Sequence, residues 1–419
     1  MLTSCRKRGL YLITTHERQL DILKLVMQLD ISPTMYKNAV DKYKAIASFL
    51  EECGIKADIY PQGSFAFGTV VRPSVKDPNA NYDLDFICQL HFTRDDIRPS
   101  ELRQSIENAL KSSDRYGGKL TKWGECFTIE YADISGVCFS IDIVPAADES
   151  FRMKNDLMLL SRRSDLINTA IAIPRQNGEK NYDWLTNNPR GFKTWFDEIN
   201  SPFLKYRLQE RRAVFFNEHR MIYNSIDEIP SGLDRSSMQR VIQILKFHRD
   251  HYYHNLSSRD KDDIKPISAI INTLTAEISK AASPTLSIFD LLAFVLERLN
   301  VYALQQTMRY DEFHRNYENW TAITRKNGEW FIENPANPED NLADKWNDNS
   351  DIPLFFFKWI QTCYNDLVKS MKLPDDQFQT QIENAFGAET IQRNWGTKYS
   401  KSTPKPIITS AASKPYRKL

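Results

Sequence analysis

Hydrophobic and polar residues alternate along several short stretches of the first third of the chain, which predicts β-strands there. Residues 82–88 read Tyr-Asp-Leu-Asp-Phe-Ile-Cys, and residues 126–131 and 137–144 alternate in the same way. The last two stretches flank a turn-like segment at 133–136, so they predict a β-hairpin. In its return strand one face carries Phe139, Ile141 and Ile143, and the other carries Ser140, Asp142 and Val144.

Apolar residues recur at helical spacing on both sides of these strands. A helix is predicted over Leu20–Leu29, and Ser32 with Pro33 predicts the start of a second helix that ends near Gly54. Pro99 predicts the start of a third, with Leu102, Ile106 and Leu110 turned inward. From Pro202 onward the pattern is mainly helical, with stripes at 238–245, 267–278, 286–299 and 359–367.

These patterns divide the chain into four parts and predict an α+β fold. We expect an N-terminal helical segment over 17–54 and a sheet-containing core over 55–200 whose last part, 146–200, is a loop-rich bridge. A helical lobe is expected over 201–396 and a flexible tail over 397–419. The tail is rich in Lys, Ser, Thr and Pro and contains no acidic residue.

Three aspartates on these strands are the candidate chemistry. Asp83 and Asp85 are two positions apart on a strand and therefore point to the same face. Asp142 is the one acid in an apolar strand, where a carboxylate needs a partner or a metal. If the hairpin packs beside the Asp83 strand, the three carboxylates converge. Crowded acids repel one another unless cations separate them, so we expect Mg²⁺, or Mn²⁺, at two positions.

A glycine-bounded turn precedes the first two acids. Gly63 allows the backbone to approach a phosphate closely, and Ser64 offers a hydroxyl donor at the start of a short helix that we predict over Phe65–Val70. A polar loop around Asp77 follows the turn. The chain contains no Gly-x-x-x-x-Gly-Lys-Ser/Thr sequence, which excludes a P-loop ATPase.

In this order Gly63-Ser64, Asp83-x-Asp85 and Asp142 resemble the signature of the DNA polymerase β-like nucleotidyltransferase superfamily. Further segments are similar to one branch of it, the bacterial CD-NTases, which are relatives of cyclic GMP-AMP synthase and oligoadenylate synthase. These segments are 60–73, 82–86, 184–196, 245–250 and 334–341. The resemblance covers residues 31–346.

The resemblance implies a polymerase β-like core with a mixed sheet and flanking helices, followed by a helical lobe of the oligoadenylate-synthase type. It implies a cyclic di- or trinucleotide synthase in antiphage (CBASS) operons, with a product that activates a separate effector. Asp83, Asp85 and Asp142 would ligate two metal ions and carry catalysis. Gly63, Ser64 and Lys246 would bind the triphosphate. We expect nucleoside triphosphates as substrates, ATP among them, and an accessory protein that modifies the tail.

The formal net charge is +1, so the chain has no broad attraction to nucleic acid. The main alternative is a nucleotidyltransferase that modifies RNA or a protein target, and the neutral charge counts mildly against the RNA-modifying form. A third possibility is a nucleotide sensor without turnover, and the complete acid set argues against it. Six cysteines form no Cys-x-x-Cys pair, and no segment has the length or composition of a signal peptide or membrane span. We therefore expect a reduced, cytoplasmic protein.

His248, His251 and His254 recur every three residues on one predicted helix. They spread around that helix, and no cysteine or carboxylate motif completes a zinc site. We interpret them as surface or groove residues, with a metal site as the less favoured alternative.

Overall fold

The computed structural model describes residues 15–28, 30–71, 81–131, 138–178, 181–218, 234–257 and 261–399, without the side chains of 81, 82, 138, 210–218, 261 and 262. The predicted polar loop around Asp77, the hairpin turn at 133–136 and the tail beyond residue 399 lie outside the described residues.

Eleven strands are described. They are β1 (Ala57–Gln62), β2 (Asn81–Thr93), β3 (Leu120–Lys122), β4 (Phe127–Tyr131), β5 (Cys138–Asp148), β6 (Ile171–Gln176), β7 (Tyr182–Asn187), β8 (Thr324–Lys326), β9 (Glu329–Phe331), β10 (Glu333–Asn334) and β11 (Asn337–Asn341).

The first eight helices are α1 (Thr15–Gln28), α2 (Pro33–Glu52), α3 (Gly63–Ala66), α4 (Pro99–Lys111), α5 (Phe151–Leu160), α6 (Ser164–Ile167), α7 (Pro189–Glu218) and α8 (Ser237–His254). The following eight are α9 (Lys261–Ile264), α10 (Ser268–Ser279), α11 (Ile288–Tyr302), α12 (Tyr310–Asn316), α13 (Asp344–Asp348), α14 (Asp351–Leu367), α15 (Asp375–Phe386) and α16 (Ala388–Trp395).

A seven-stranded mixed sheet forms the centre of the first half of the chain. Its strands lie in the order β1-β2-β5-β4-β3. β6 pairs with the C-terminal end of β5, and β7 pairs with β6. β2 and β5 are parallel, whereas the other neighbours are antiparallel. β8–β9 and β10–β11 are two small antiparallel pairs within the helical half.

One face of the sheet is covered by helices and the other is open to a cleft. Leu84 and Phe86 of β2 and Ile141 of β5 are buried against α4 and α2 in a single apolar core. Side chains alternate along a strand, so the residues between them face away from this core. The same alternation that buries their neighbours turns Asp83, Asp85 and Asp142 to the opposite face of the sheet, where Asp83 and Asp85 line the cleft.

A larger apolar core joins the helices of the second half. It contains α8, α10, α11, α14 and α15, together with Ile22, Leu25 and Val26 of α1. Because α1 packs into this core and α2 packs against the sheet, the N-terminal segment contacts both halves.

Several predicted elements are confirmed. Ser32 accepts a hydrogen bond from the backbone N–H of Met35 and begins α2 with Pro33 at its first position. Leu102, Ile106 and Leu110 of α4 are fully buried. Helices α8, α10, α11 and α14 coincide with the four predicted apolar stripes.

The prediction of a loop-rich bridge over 146–200 is wrong. This segment contains α5, α6, the β6–β7 hairpin and the first part of α7, which continues past residue 200. Ile171, Ala172 and Ile173 are buried side by side, and such a continuous apolar run gives no alternation signal. The short helix predicted over Phe65–Val70 is also misplaced, because α3 spans Gly63–Ala66 and the chain turns at Gly68 with a φ of +63°.

Candidate active site

The three aspartates come together across neighbouring strands, as their facing predicts. In the parallel register of β2 and β5, Asp85 lies directly beside Asp142, and Asp83 lies beside Ser140. On the other side of β5, Asp142 is paired with Thr128 of β4. The acids therefore occupy one row on the cleft face of the sheet.

Two hydroxyl groups hold the outer members of this row. Ser140 donates a short hydrogen bond to Asp83, and Thr128 donates to Asp142 Oδ1 at 2.5 Å. Thr128 Oγ1 in turn accepts a bond from the indole N–H of Trp123 at 2.9 Å. A hydroxyl has one proton to donate, so this arrangement fixes its direction: Trp123 donates to Thr128, and Thr128 donates to Asp142.

The acids have raised pKa values because they are desolvated and repel one another. Desolvation raises the pKa of Asp85 to about 7, with further contributions from Asp142 and Asp83 and an opposing one from Lys246. Desolvation also raises the pKa of Asp83 and of Asp142, and the bonds from Ser140 and Thr128 oppose these shifts. The protein's own cations therefore leave negative charge in the row uncompensated.

The Gly63–Ser64 turn lies immediately beside these acids. β1 pairs with β2 so that Gln62, the residue before the turn, is opposite Asp85. Gly63 has a φ of +63°, which an L side chain rarely adopts, and a methyl group on it would collide with the Asp85 carboxylate. Glycine is thus required here both for the backbone conformation and for the close approach of the acid.

Lys246 reaches the same cleft from α8. Its side chain is 4% exposed, and Nζ donates to Thr69 Oγ1 at 3.0 Å. Burial, reinforced by Arg249, lowers the pKa of Lys246 to about 7, and Asp250 and Asp85 act in the opposite direction. The structure therefore brings Gly63, Ser64 and Lys246 to one cleft with the acids, as the sequence predicts.

Two glutamines on α8 contact the same segment, residues 67–70, that Lys246 contacts through Thr69. Gln239 donates to the carbonyl of Phe67 and Gln243 to that of Val70, each at 2.7 Å. The three side chains occupy positions i, i+4 and i+7 on one helix face, and both amides are buried. The helix thus holds the segment that follows the Gly63–Ser64 turn. Sequence analysis missed the glutamines, although their spacing with Lys246 at i, i+4 and i+7 was a visible signal.

A cleft of about 810 Å³ extends from the acid row to the helical half. Its walls include the Gly63–Ser64 turn, Lys246, the start of α10 at Ser268, and the β10–β11 segment with Asn334 and Asp340. This volume is in the range of small-molecule and cofactor sites. Ser268 was also missed by sequence analysis. The apolar stripe beginning at Ile267 marks the start of α10, but nothing in the sequence places Ser268 in the same cleft as Lys246.

The donor chemistry of the acid row fits a hard divalent cation. All its side-chain ligands are carboxylate oxygens, which Mg²⁺ prefers. Burial, followed by the charges of Asp142 and Asp83, raises the pKa of Asp85 to about 7. Over the described ranges, no three His, Cys, Asp or Glu side chains are arranged as a ready metal site. The carboxylates of Asp83 and Asp142 are instead engaged by Ser140 and Thr128.

The prediction that His248 is a surface or groove residue is wrong. Its side chain is 1% exposed, its Nδ1 accepts a bond from the Trp359 indole at 3.0 Å, and its Nε2 lies 3.2 Å from Asp366. With Nδ1 accepting, Nε2 carries the proton and donates to Asp366. His248 is therefore a structural residue of the helical core.

Comparison with known proteins gives three concordant results. The family described as "Cyclic GMP-AMP synthase DncV-like, nucleotidyltransferase domain" matches residues 57–144, which contain the turn and all three acids. A c-di-GMP synthase from Roseivirga ehrenbergii is 23% identical over 350 residues, covering 82% of this chain and 77% of that protein. The cyclic dinucleotide synthase CdnG from Bradyrhizobium diazoefficiens is 20% identical over 394 residues, covering 89% and 81%.

Solved structures have the same fold. CdnG from Bradyrhizobium diazoefficiens in complex with GTP superposes with a TM-score of 0.61 at 19% identity, covering 89% of this chain and 97% of that one. CdnC from E. coli MS115-1 with ATP gives 0.56 at 13% identity, covering 88% and 98%. The mixed sheet with a helical C-terminal half is thus the α+β architecture of these enzymes. Residues 57–144 thus match a DncV-like nucleotidyltransferase domain, and over most of its length the chain is similar to cyclic dinucleotide synthases, among them the CD-NTase CdnG.

Proposed function

We propose that this protein is a cyclic dinucleotide synthase that joins nucleoside triphosphates, with GTP as one substrate, and releases pyrophosphate at each step. The observation that carries the proposal is the β2–β5 register, which sets Asp142 beside Asp85, a residue that lines one cleft with Gly63, Ser64 and Lys246. Sequence relatives named as cyclic dinucleotide and c-di-GMP synthases support the choice of product.

The triphosphate of the donor would lie at the Gly63–Ser64 turn. The Ser64 hydroxyl and the turn backbone can donate to phosphate oxygens, and Lys246 brings a cationic group from the opposite wall. Lys246 already contacts Thr69 in the backbone segment that follows the turn. Burial lowers the pKa of Lys246, and a bound triphosphate would raise it again, because a nearby negative charge favours the protonated amine.

The acid row would then act on the acceptor hydroxyl. That oxygen forms a bond to the donor α-phosphorus, the bond from this phosphorus to the pyrophosphate oxygen breaks, and the hydroxyl proton passes to a carboxylate. Asp142, which the resemblance assigns to activation of the acceptor hydroxyl, would take this proton. Repeating the reaction with the roles of the two nucleotides exchanged closes the ring.

Asp83, Asp85 and Asp142 would hold Mg²⁺, and Mn²⁺ could replace it. When bound, two such ions would neutralise the crowded acids and stabilise the charge that develops on the attacking and leaving oxygens.

The biological role that we propose rests on the similarity to the CD-NTases. The product would activate a separate effector in antiphage (CBASS) defence, and an accessory protein would modify the C-terminal tail. ATP is included as a possible second substrate, since CdnC has been solved with ATP. Among the described residues, no helix combines the length and apolar character that crossing a membrane requires. A truncation after Tyr399 should leave purified activity intact but weaken phage protection, and unchanged protection would contradict the role of the tail.

The test is product analysis with purified full-length protein. Labelled nucleoside triphosphates, singly and in pairs, are incubated with Mg²⁺ or Mn²⁺ and then treated with phosphatase. We expect a phosphatase-resistant product with the mass of a cyclic dinucleotide, and none from Asp83→Asn. Label transferred only to added RNA or protein would instead establish the modifying-enzyme alternative.

A further inference from the structure

Trp123 is an exposed aromatic residue that lies two hydrogen bonds from the acid row. All eight tryptophans of the chain are described, and Trp123, at 58% exposure, is the only exposed one. Its indole N–H donates to Thr128, which donates to Asp142. Hydration of a large exposed ring has a cost, so its position beside a reactive centre requires an explanation.

The backbone that carries Trp123 is held firmly. Arg103 of α4, only 2% exposed, donates to the carbonyl of Trp123 and, at 3.4 Å, to that of Cys126. The backbone N–H of Trp123 bonds to the same Cys126 carbonyl at 3.0 Å. Because both the backbone and the indole tip are fixed, the ring has little freedom to lose when a ligand packs on it.

Trp123 stands at one end of the active face. In the order β1-β2-β5-β4-β3, this face passes from the Gly63–Ser64 turn to the acids, then to Thr128, and ends at Trp123 beyond β3. Glu125, two residues after Trp123, lines the cleft. In phosphoryl transfer the attacking and leaving oxygens are roughly in line. With pyrophosphate leaving toward the turn, the acceptor must therefore approach from the Trp123 side.

We propose that Trp123 is a stacking platform for the nucleobase of the acceptor nucleotide. The inference rests on the proposed function, because it places the donor at the turn. Among the described residues no aromatic ring or side-chain cation is stacked on this indole, so its surface is available. Bases stack on aromatic side chains whatever their hydrogen-bonding edges. Trp123 therefore binds the base without selecting it, and a purine covers more of the ring than a pyrimidine.

The first test measures how much of the tryptophan fluorescence of the full-length protein iodide can quench. Trp123 supplies most of the quenchable component, and Trp123→Phe should lack it. Saturating GTP should remove most of this component, whereas inorganic tripolyphosphate, which has no base, should leave it unchanged. Failure of every nucleoside triphosphate to reduce it would overturn the proposal, and so would equal protection by tripolyphosphate. This measurement does not depend on turnover.

The second test separates substrate binding from the chemical step. Trp123→Leu should raise the KM for the acceptor about tenfold to a hundredfold, with kcat changed at most about threefold, because stacking is lost and the acids remain. Trp123→Phe, which keeps a ring, should recover part of the loss. Phe92→Leu is the matched control, since Phe92 is an exposed aromatic at the opposite end of the strand that carries Asp83.

The outcomes distinguish this inference from the function on which it rests. Product formation by the wild-type protein with an unchanged KM in Trp123→Leu would refute the stacking role alone. A large fall in kcat with no change in KM would also refute it, because that result assigns Trp123 to the orientation of Asp142 through Thr128. Absence of any product from the wild-type protein would refute the proposed function, and the quenching result would still decide the stacking.

Discussion

Replacing Asp85 with asparagine should stabilise the metal-free protein. The pKa of Asp85 is raised from 3.8 to about 7, and the rise corresponds to about 4 kcal/mol of unfavourable interaction when the carboxylate is charged. Solvent reaches part of the side chain, which is only partly buried, so about 2 kcal/mol is a realistic figure. For a chain of 419 residues that unfolds cooperatively, this predicts a Tm increase of about 2 °C, and of about 4 °C at most.

The sign of the pH dependence follows from the direction of this pKa shift. Because the folded state holds the Asp85 proton more tightly than the unfolded state, rising pH destabilises the wild-type protein between pH values of about 4 and 7. Asparagine does not titrate. The stabilisation by Asp85→Asn should thus be small near pH 5, should grow toward pH 7 and should be complete above it.

The assay is thermal unfolding of both proteins in EDTA across this pH range. Asp366→Asn is the matched control, because Asp366 is also a buried acid but has His248 as a partner, and this variant should be destabilised. Mg²⁺ should raise the Tm of the wild-type protein more than that of Asp85→Asn. A Tm for Asp85→Asn that is equal to or below that of the wild type at pH 8, in EDTA, would refute the reasoning.

Three further predictions concern the helical half. The double variant Gln239→Met, Gln243→Met should raise the KM for nucleoside triphosphates, because the segment after the turn loses two buried hydrogen bonds. The control Gln305→Met loses a comparable bond to Ile323 away from the cleft and should change only the Tm. Equal KM values for the double variant and the wild type would contradict this prediction. Lys246→Met should raise KM about tenfold to a hundredfold with a preserved Tm, as expected for one charge-assisted contact, and a collapsed Tm would assign Lys246 a structural role instead. Tyr399→Ala removes a fully buried ring that donates to Asp21, so calorimetry should show a loss of about 3–5 kcal/mol with unchanged kcat; an unaltered Tm would show that this contact is not formed.

The strand pattern was enough to predict the acid row. Alternation placed Asp83, Asp85 and Asp142 away from the apolar face, and the structure shows the buried neighbours Leu84 and Ile141 on the other side of the sheet. Alternation alone does not predict that Asp142 lies beside Asp85, because the parallel pairing of β2 with β5 joins residues more than fifty positions apart. Only the resemblance to known enzymes suggested that pairing.

Prediction from the sequence failed where consecutive residues are all buried, and where the environment of a residue is set by elements distant along the chain. The Ile171–Ile173 run is buried on both faces, so it lacked the period that identifies a strand. His248 appeared polar within a helix, but its environment is set by Trp359 and Asp366, more than a hundred residues later. No local pattern carries that information.

The central claim is that the acids of β2 and β5 together carry out nucleotidyl transfer beside the Gly63–Ser64 turn. Its most direct test is mass spectrometry of the products formed from nucleoside triphosphates by the wild-type protein and by Asp142→Asn, each shown to be folded. We expect a cyclic dinucleotide from the wild type and neither a linear nor a cyclic product from the variant. A cyclic product formed at an undiminished rate by Asp142→Asn would contradict it.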